Sequence, residues 1–263
     1  MILKIAFLYF GYISLGCLVL LPLVSLKEIG QGFYRFFGFL CVALDTLAVG
    51  IALYEGRAFS DSFQHSAWYL AGSLFFTLCF TAALKARVRP LVWGAYTLGL
   101  LCGSVALAFF PWQGGLSPFF LGFHALTSAL VLGAGVLAMM LGHWYLVTPK
   151  LSITPLKRCS AAYILLTVFT ALKLVLAYHL FVGWSWPPST AAGLRLMGED
   201  LMFALFRVTW GVMAPLAASY FIWETVKIKS TQSATGILYA TMVCTIIGEG
   251  MGLFLTLSTG VPF

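Results

Sequence analysis

The polar residues of this chain fall in short clusters that separate long, nearly unbroken apolar runs. Eight such runs stand near 5–25, 36–54, 66–85, 91–110, 118–146, 159–182, 201–225 and 236–258. Each is close to the roughly 20 residues that a helix needs to cross a hydrocarbon core about 30 Å thick. Inside such a core every backbone N–H and C=O has to be satisfied by the chain itself, and an isolated apolar segment does this only as a helix. The pattern therefore predicts an all-α polytopic membrane bundle of eight helices. The longest connections, near 55–65, 147–158 and 183–200, are too short for a soluble domain, so residues 1–263 read as a single transmembrane domain.

Composition supports this class. Hydrophobic residues make up 61% and charged residues 9%, against about 45–50% and 25% in soluble domains. The first run follows Lys4 but extends well beyond the 7–15 apolar residues of a signal peptide, and is read as a retained span. Ser14-Leu15-Gly16-Cys17 approaches a lipidation box but lacks the leucine three residues before the cysteine. The six cysteines, Cys17, Cys41, Cys79, Cys102, Cys159 and Cys244, show no paired spacing, no zinc motif and no c-type haem attachment, and are expected to be packing residues.

Charge gives the expected orientation, because basic residues near span ends are retained in the cytoplasm. The odd connections carry Lys27, Arg35, Lys85, Arg87, Arg89, Lys150, Lys157, Arg158, Lys227 and Lys229, whereas the first terminus and the even connections carry Lys4, Arg57 and Arg195. Both termini are expected on the outer, periplasmic side of a bacterial inner membrane. The asymmetry accounts for most of the net charge of +7 without a nucleic-acid partner. Trp184 and Trp186, in Gly183-Trp-Ser-Trp-Pro-Pro-Ser-Thr190, sit where interfacial tryptophans belong. That stretch resembles the tryptophan-rich loop of haem-handling proteins in cytochrome c assembly, without its acidic end.

The candidate chemistry lies in a few side chains. His124 stands about 9 Å inside the outer end of the fifth span and His179 about 6 Å inside that of the sixth, at 1.5 Å per residue. Imidazole is an axial ligand of haem iron, and bundles hold haem between inward-facing histidines. The two are therefore candidate ligands of a b-type haem. His143 is about 28 Å from His124 along its helix, too far for the same haem, and is a candidate for a second site near the inner face. His65 reads as interfacial. Met139, Met140 and His143 supply copper-type donors, although methionine is also an ordinary packing residue.

Ionisable groups within spans are costly and face the interior, a partner or water. Asp45, Lys173, Arg207 and Glu249 are four of these. Similar depths predict two ion pairs, Arg207 with Glu249 and Asp45 with Lys173. In a redox reading, Arg207 and Lys173 meet haem propionates or a quinone carbonyl, while Glu249 and Asp45 carry protons. Glu199 and Asp200 are expected to cap the seventh helix, and Glu224 to pair with Lys227 at i+3. Gly99 with Gly103, and Gly248 with Gly252, have the spacing of close helix contacts. Pro215 interrupts the seventh span without a counterpart in the third, which argues against an inverted repeat.

These features favour the membrane subunit of a respiratory electron-transfer complex, exchanging electrons with quinone near the outer face beside redox partner subunits. The topology of eight spans resembles that of the quinol-reactive anchors of bacterial molybdenum oxidoreductases, and the likeness stops at topology. The alternatives are an ion- or proton-conducting transporter subunit and a purely structural anchor. A carrier of polar solutes is disfavoured, because the chain has no asparagine and Gln31, Gln64, Gln113 and Gln232 all lie outside or at the margins of spans.

Overall fold

The structure is a computed structural model that describes residues 1–55, 61–86, 88–108, 110, 118–148, 151–183 and 190–263. Arg57, Arg87, Lys150, Trp184 and Trp186 lie outside the described residues, so the belt expected at the two tryptophans and part of the charge asymmetry have no structural counterpart.

In chain order the helices are α1 (Ile2–Leu20), α2 (Leu26–Ile29), α3 (Gln31–Glu55), α4 (Asp61–Ala86), α5 (Arg89–Ala108), α6 (Pro118–Val147), α7 (Thr154–Phe181), α8 (Ala191–Met197), α9 (Leu201–Val208), α10 (Ala214–Lys227) and α11 (Thr231–Thr259). Among the described residues there is no strand, and eight helices are long and apolar enough to cross a membrane. The protein is an all-α polytopic membrane bundle. The seventh span is composite: α9 passes through one turn of π-helix, Thr209–Met213, into α10, which opens with Pro215. The wider turn accommodates the proline, whose missing N–H and bulky ring would break a regular ladder. α11 ends at Gly260, whose left-handed φ of 74° suits the residue without a Cβ.

The helices pack in two groups. α1, α3, α4 and α5 form one half, and α6, α7, α9, α10 and α11 the other, joined chiefly where α1 crosses α6. α6 is central: 83% of its most apolar stretch is buried, against 22% for the seventh span, which faces outward over much of its surface. At the α1–α6 crossing Gly16 meets Ala129 and Gly133 so closely that a Cβ on either glycine would overlap backbone. A second crossing of this kind sets Gly211 of the π-turn against Gly248 of α11. Without a hydrophobic effect between helices in lipid, close approach of small residues and interhelical hydrogen bonds hold such contacts. Tyr96 Oη donates to the Leu18 carbonyl at 2.5 Å, Tyr9 Oη to the Ile246 carbonyl at 2.9 Å, and Tyr163 Oη contacts Thr245 Oγ1 at 2.6 Å.

The Gly248–Gly252 run is thus a contact surface, and α11 continues through it as one helix. Gly99 and Gly103 make ordinary contacts with Ser73, Thr77 and Leu15. The cysteines are free, and Cys17, Cys41 and Cys159 are buried. Glu224 lies 3.5 Å from Lys227, as its spacing implies. The capping expectation for the seventh helix fails: Asp200 stands at the N-cap of α9 without a side-chain cap bond. Its carboxylate instead accepts from Ser258 Oγ at 3.0 Å and faces Arg195 Nε at 3.6 Å, while exposed Glu199 pairs loosely with Arg195.

Candidate functional site

Three helices bring a polar cluster together in the second half of the bundle. α6 supplies His124, Thr127 and Ser128, α7 supplies Lys173, and α11 supplies Thr256. Positions 124, 127 and 128 share a face because residues three and four apart are helical neighbours. Lys173 Nζ lies 3.2 Å from His124 Nδ1, 3.1 Å from Thr127 Oγ1 and 3.4 Å from Ser128 Oγ. The three N–H donors of an ammonium therefore meet three acceptors. Thr256 Oγ1, which donates to the Gly252 carbonyl at 2.8 Å, lies 3.4 Å from His124 Nε2. His124 thus sits between Lys173 at Nδ1 and Thr256 at Nε2, with the donor and acceptor roles set by its tautomer.

A second pair lies within electrostatic range of the first. Arg207 of α9 donates through Nη1 to Glu249 Oε1 of α11 at 2.7 Å, and each side chain is 1% exposed. The expected Arg207–Glu249 pair is formed. Gly211 and Gly252 make it possible: a Cβ on Gly252 would stand 2.9 Å from Arg207 Nε, and one on Gly211 would stand 3.1 Å from Nη1. Arg207 Nε and Nη2 are buried without a hydrogen-bond partner. The cluster thus combines two cations and one carboxylate away from water, and two nitrogens of one cation, with three N–H groups between them, remain available.

The expected Asp45–Lys173 pair is not formed. Asp45 lies on α3 in the other half, where its carboxylate accepts from Ser73 Oγ at 3.3 Å. Similar expected depth along the bilayer carries no information about which helices are neighbours. His65 and His143 are exposed, as is much of the surface of α7 that carries His179.

Two cavities adjoin the cluster. One of about 130 Å³ is lined by Phe120, Phe123, His124, Lys173, Leu180 and Phe181 among others. The other, of about 380 Å³, lies between α7, α8, α9 and α11 and is lined by Leu174, Tyr178, Leu205, Arg207, Val208 and Leu255 among others. Leu205 and Val208 are 56% and 40% exposed, so this cavity has a mouth toward the lipid-facing surface. Among the described residues Arg207 is the one charged side chain that lines it.

A b-type haem between His124 and His179 does not fit this arrangement. His124 Nδ1 faces Lys173 Nζ at 3.2 Å and Nε2 faces Thr256 Oγ1 at 3.4 Å, so either nitrogen reaches an iron only by giving up its polar contact. His179 is exposed and lies six residues beyond Lys173, about 120° around the helix from it. The cavity at His124 is also smaller than the 300–1,000 Å³ of ordinary small-molecule pockets.

Sequence reasoning found His124, Lys173, Arg207 and Glu249 but missed Thr127, Ser128, Thr256 and Gly211. The first two were readable as i+3 and i+4 neighbours of His124, and Thr256 stands two turns beyond Glu249 on the same face. Gly211 carried no signal, since its role exists only through α11. No family model, curated protein or solved structure matches the chain.

Proposed function

We propose that the protein is the quinone-binding membrane subunit of a respiratory electron-transfer complex in a bacterial inner membrane, with the quinone held in the cavity beside Arg207. One observation carries the reading: an apolar cavity of about 380 Å³, open toward lipid, lined among the described residues by a single charged side chain, a buried arginine with two nitrogens that lack hydrogen-bond partners. Its volume falls within the range of small-molecule pockets, and one convergent polar group in an apolar wall suits a lipid-soluble ligand with a carbonyl head.

The residues divide the work. Leu174, Leu205 and Val208 hold the ring and exclude water. Arg207 Nε and Nη2 donate to a ring oxygen and stabilise the negative charge that develops there on reduction. Glu249, 2.7 Å from Arg207 Nη1, is the nearest carboxylate and holds the proton exchanged with that oxygen. Lys173 adds a second positive charge to the same low-dielectric region. Conversion of a quinol to a quinone releases two electrons and two protons. The electrons pass to a redox centre in a partner subunit, one proton passes to Glu249, and the other passes to water at the outer face.

The test is photolabelling with an azido-quinone in lipid nanodiscs, read by peptide mapping. Label should enter the peptides around 171–178 and 201–212 and be lost in the Arg207→Gln/Glu249→Gln double variant, which removes both charges together. Label confined to other helices, or unchanged in the double variant, refutes the reading. A proton path is the second reading, favoured by the continuous polar contacts Lys173–His124–Thr256 beside Glu249. It predicts proton flux in liposomes that is lost on neutralising Glu249, with no quinone labelling.

A further inference from the structure

The other half of the bundle contains a buried carboxylate with no counter-charge. Asp45 is 0% exposed, and no cation pairs with it among the described residues. Its Oδ1 has no hydrogen-bond partner, and its Oδ2 is met only by Ser73 Oγ at 3.3 Å. Ser73 has a single proton, and its hydroxyl also lies 3.2 Å from the Gly99 carbonyl. The neighbouring donors are committed elsewhere: Thr77 Oγ1 donates to the Ser73 carbonyl at 2.8 Å, and the Cys41 thiol to the Ser14 carbonyl at 3.6 Å. Ser14 Oγ, 1% exposed, lies beside the carboxylate as a second hydroxyl.

We propose that Asp45, Ser14 and Ser73, with the Gly99 carbonyl, form a binding site for a sodium ion. The site has an excess of oxygen acceptors: two carboxylate oxygens, two hydroxyl oxygens and a carbonyl share the two hydroxyl protons. Hard oxygen donors of this kind suit a hard cation. One carboxylate balances one positive charge, which makes the ion monovalent. A bound water would satisfy the hydrogen bonds but leave an uncompensated charge inside the membrane, at a cost of several kcal/mol.

The surroundings are consistent with a small ion. A Cβ on Gly103 would stand 3.3 Å from Ser73 Oγ, and one on Gly99 would stand 3.4 Å from Thr77 Oγ1, so the helices leave little spare room. A cavity of about 160 Å³ between α3 and α4 is lined by Val49, Ala52, Gln64, Ala67 and Ala71 among others. Val49 stands one helical turn from Asp45, and Ala71 two residues from Ser73. Exposed Gln64 places an amide on the rim of this cavity. This site belongs to the α1, α3, α4 and α5 half and does not rest on the quinone reading.

The experiment is equilibrium binding of ²²Na⁺ to the purified full chain in detergent, in choline chloride, beside the thermal midpoint of the same protein in sodium chloride and in choline chloride of equal ionic strength. The proposal expects saturable binding of about one sodium per chain, a midpoint several degrees higher in sodium, and loss of both effects in Asp45→Asn. Ser73→Ala, which keeps the charge, should weaken binding by tenfold or more. Absence of saturable binding with equal midpoints in the unaltered protein overturns the proposal and leaves a protonated carboxyl. Binding that survives in a folded Asp45→Asn protein also overturns it. If Asp45→Asn does not fold, undiminished binding in Ser73→Ala does the same.

Discussion

Separating the partners of the Arg207–Glu249 pair should destabilise the protein far more than removing both. At 2.7 Å, with each side chain 1% exposed, Coulomb attraction at an effective dielectric of about 20 is about 6 kcal/mol. Desolvation of the two ions offsets most of it, so the pair as a whole adds little net stability. The balance changes when one partner is lost. Arg207→Gln leaves the Glu249 carboxylate alone beside Gly248 and Gly252, in a crossing too tight to admit a replacement cation, and about 3–5 kcal/mol is then expected to be lost. Glu249→Gln strands the guanidinium at a similar cost. The double variant Arg207→Gln/Glu249→Gln should recover about 2–3 kcal/mol relative to the sum of the singles, the upper end of coupling between contacting residues. The assay is a double-mutant cycle on unfolding in bicelles by SDS titration. A coupling below about 0.5 kcal/mol would show that the two charges are not a desolvated pair, and the site argument would lose its central contact.

Three further outcomes follow from the packing. Gly248→Ala or Gly16→Ala should abolish folded, monodisperse protein in gel filtration, because the added methyl meets backbone of another helix, whereas Gly236→Ala, with open space around it, should gain about 0.5–1 kcal/mol from helix propensity. His124→Leu should lower the thermal midpoint by removing a polar partner from buried Lys173, at about 1–3 kcal/mol; an unchanged midpoint would contradict the network. Tyr163→Phe should cost about 0.6–1.7 kcal/mol, the range measured for interhelical hydrogen bonds in a membrane protein, through loss of its 2.6 Å contact with Thr245, read by the same SDS titration.

Much of the molecule was decided by sequence alone. Eight apolar runs of bilayer length permit only helices, because no other arrangement of a lone segment satisfies its backbone in hydrocarbon. Local pairs were equally accessible: Glu224 and Lys227 are neighbours wherever residues 214–227 are helical. The Arg207–Glu249 pair could be read because the seventh and eighth spans follow one another through a short connection, so that common depth was enough to place their buried charges together.

What the tertiary structure decided is lateral order, and with it every contact between non-consecutive spans. Lys173 and Asp45 are expected at one depth from the sequence, but α7 and α3 belong to different halves of the bundle, so one cation goes to His124 and the carboxylate goes to Ser73. His124 and His179 lie on consecutive spans at similar depth, yet the rotation of α7 turns Lys173 inward and leaves His179 exposed. A uniformly apolar helix in lipid gives no stripe from which to read its rotation. The orientation is set by glycine crossings such as Gly16 with Gly133 and Gly211 with Gly248, where van der Waals contact between backbones depends on both helices at once.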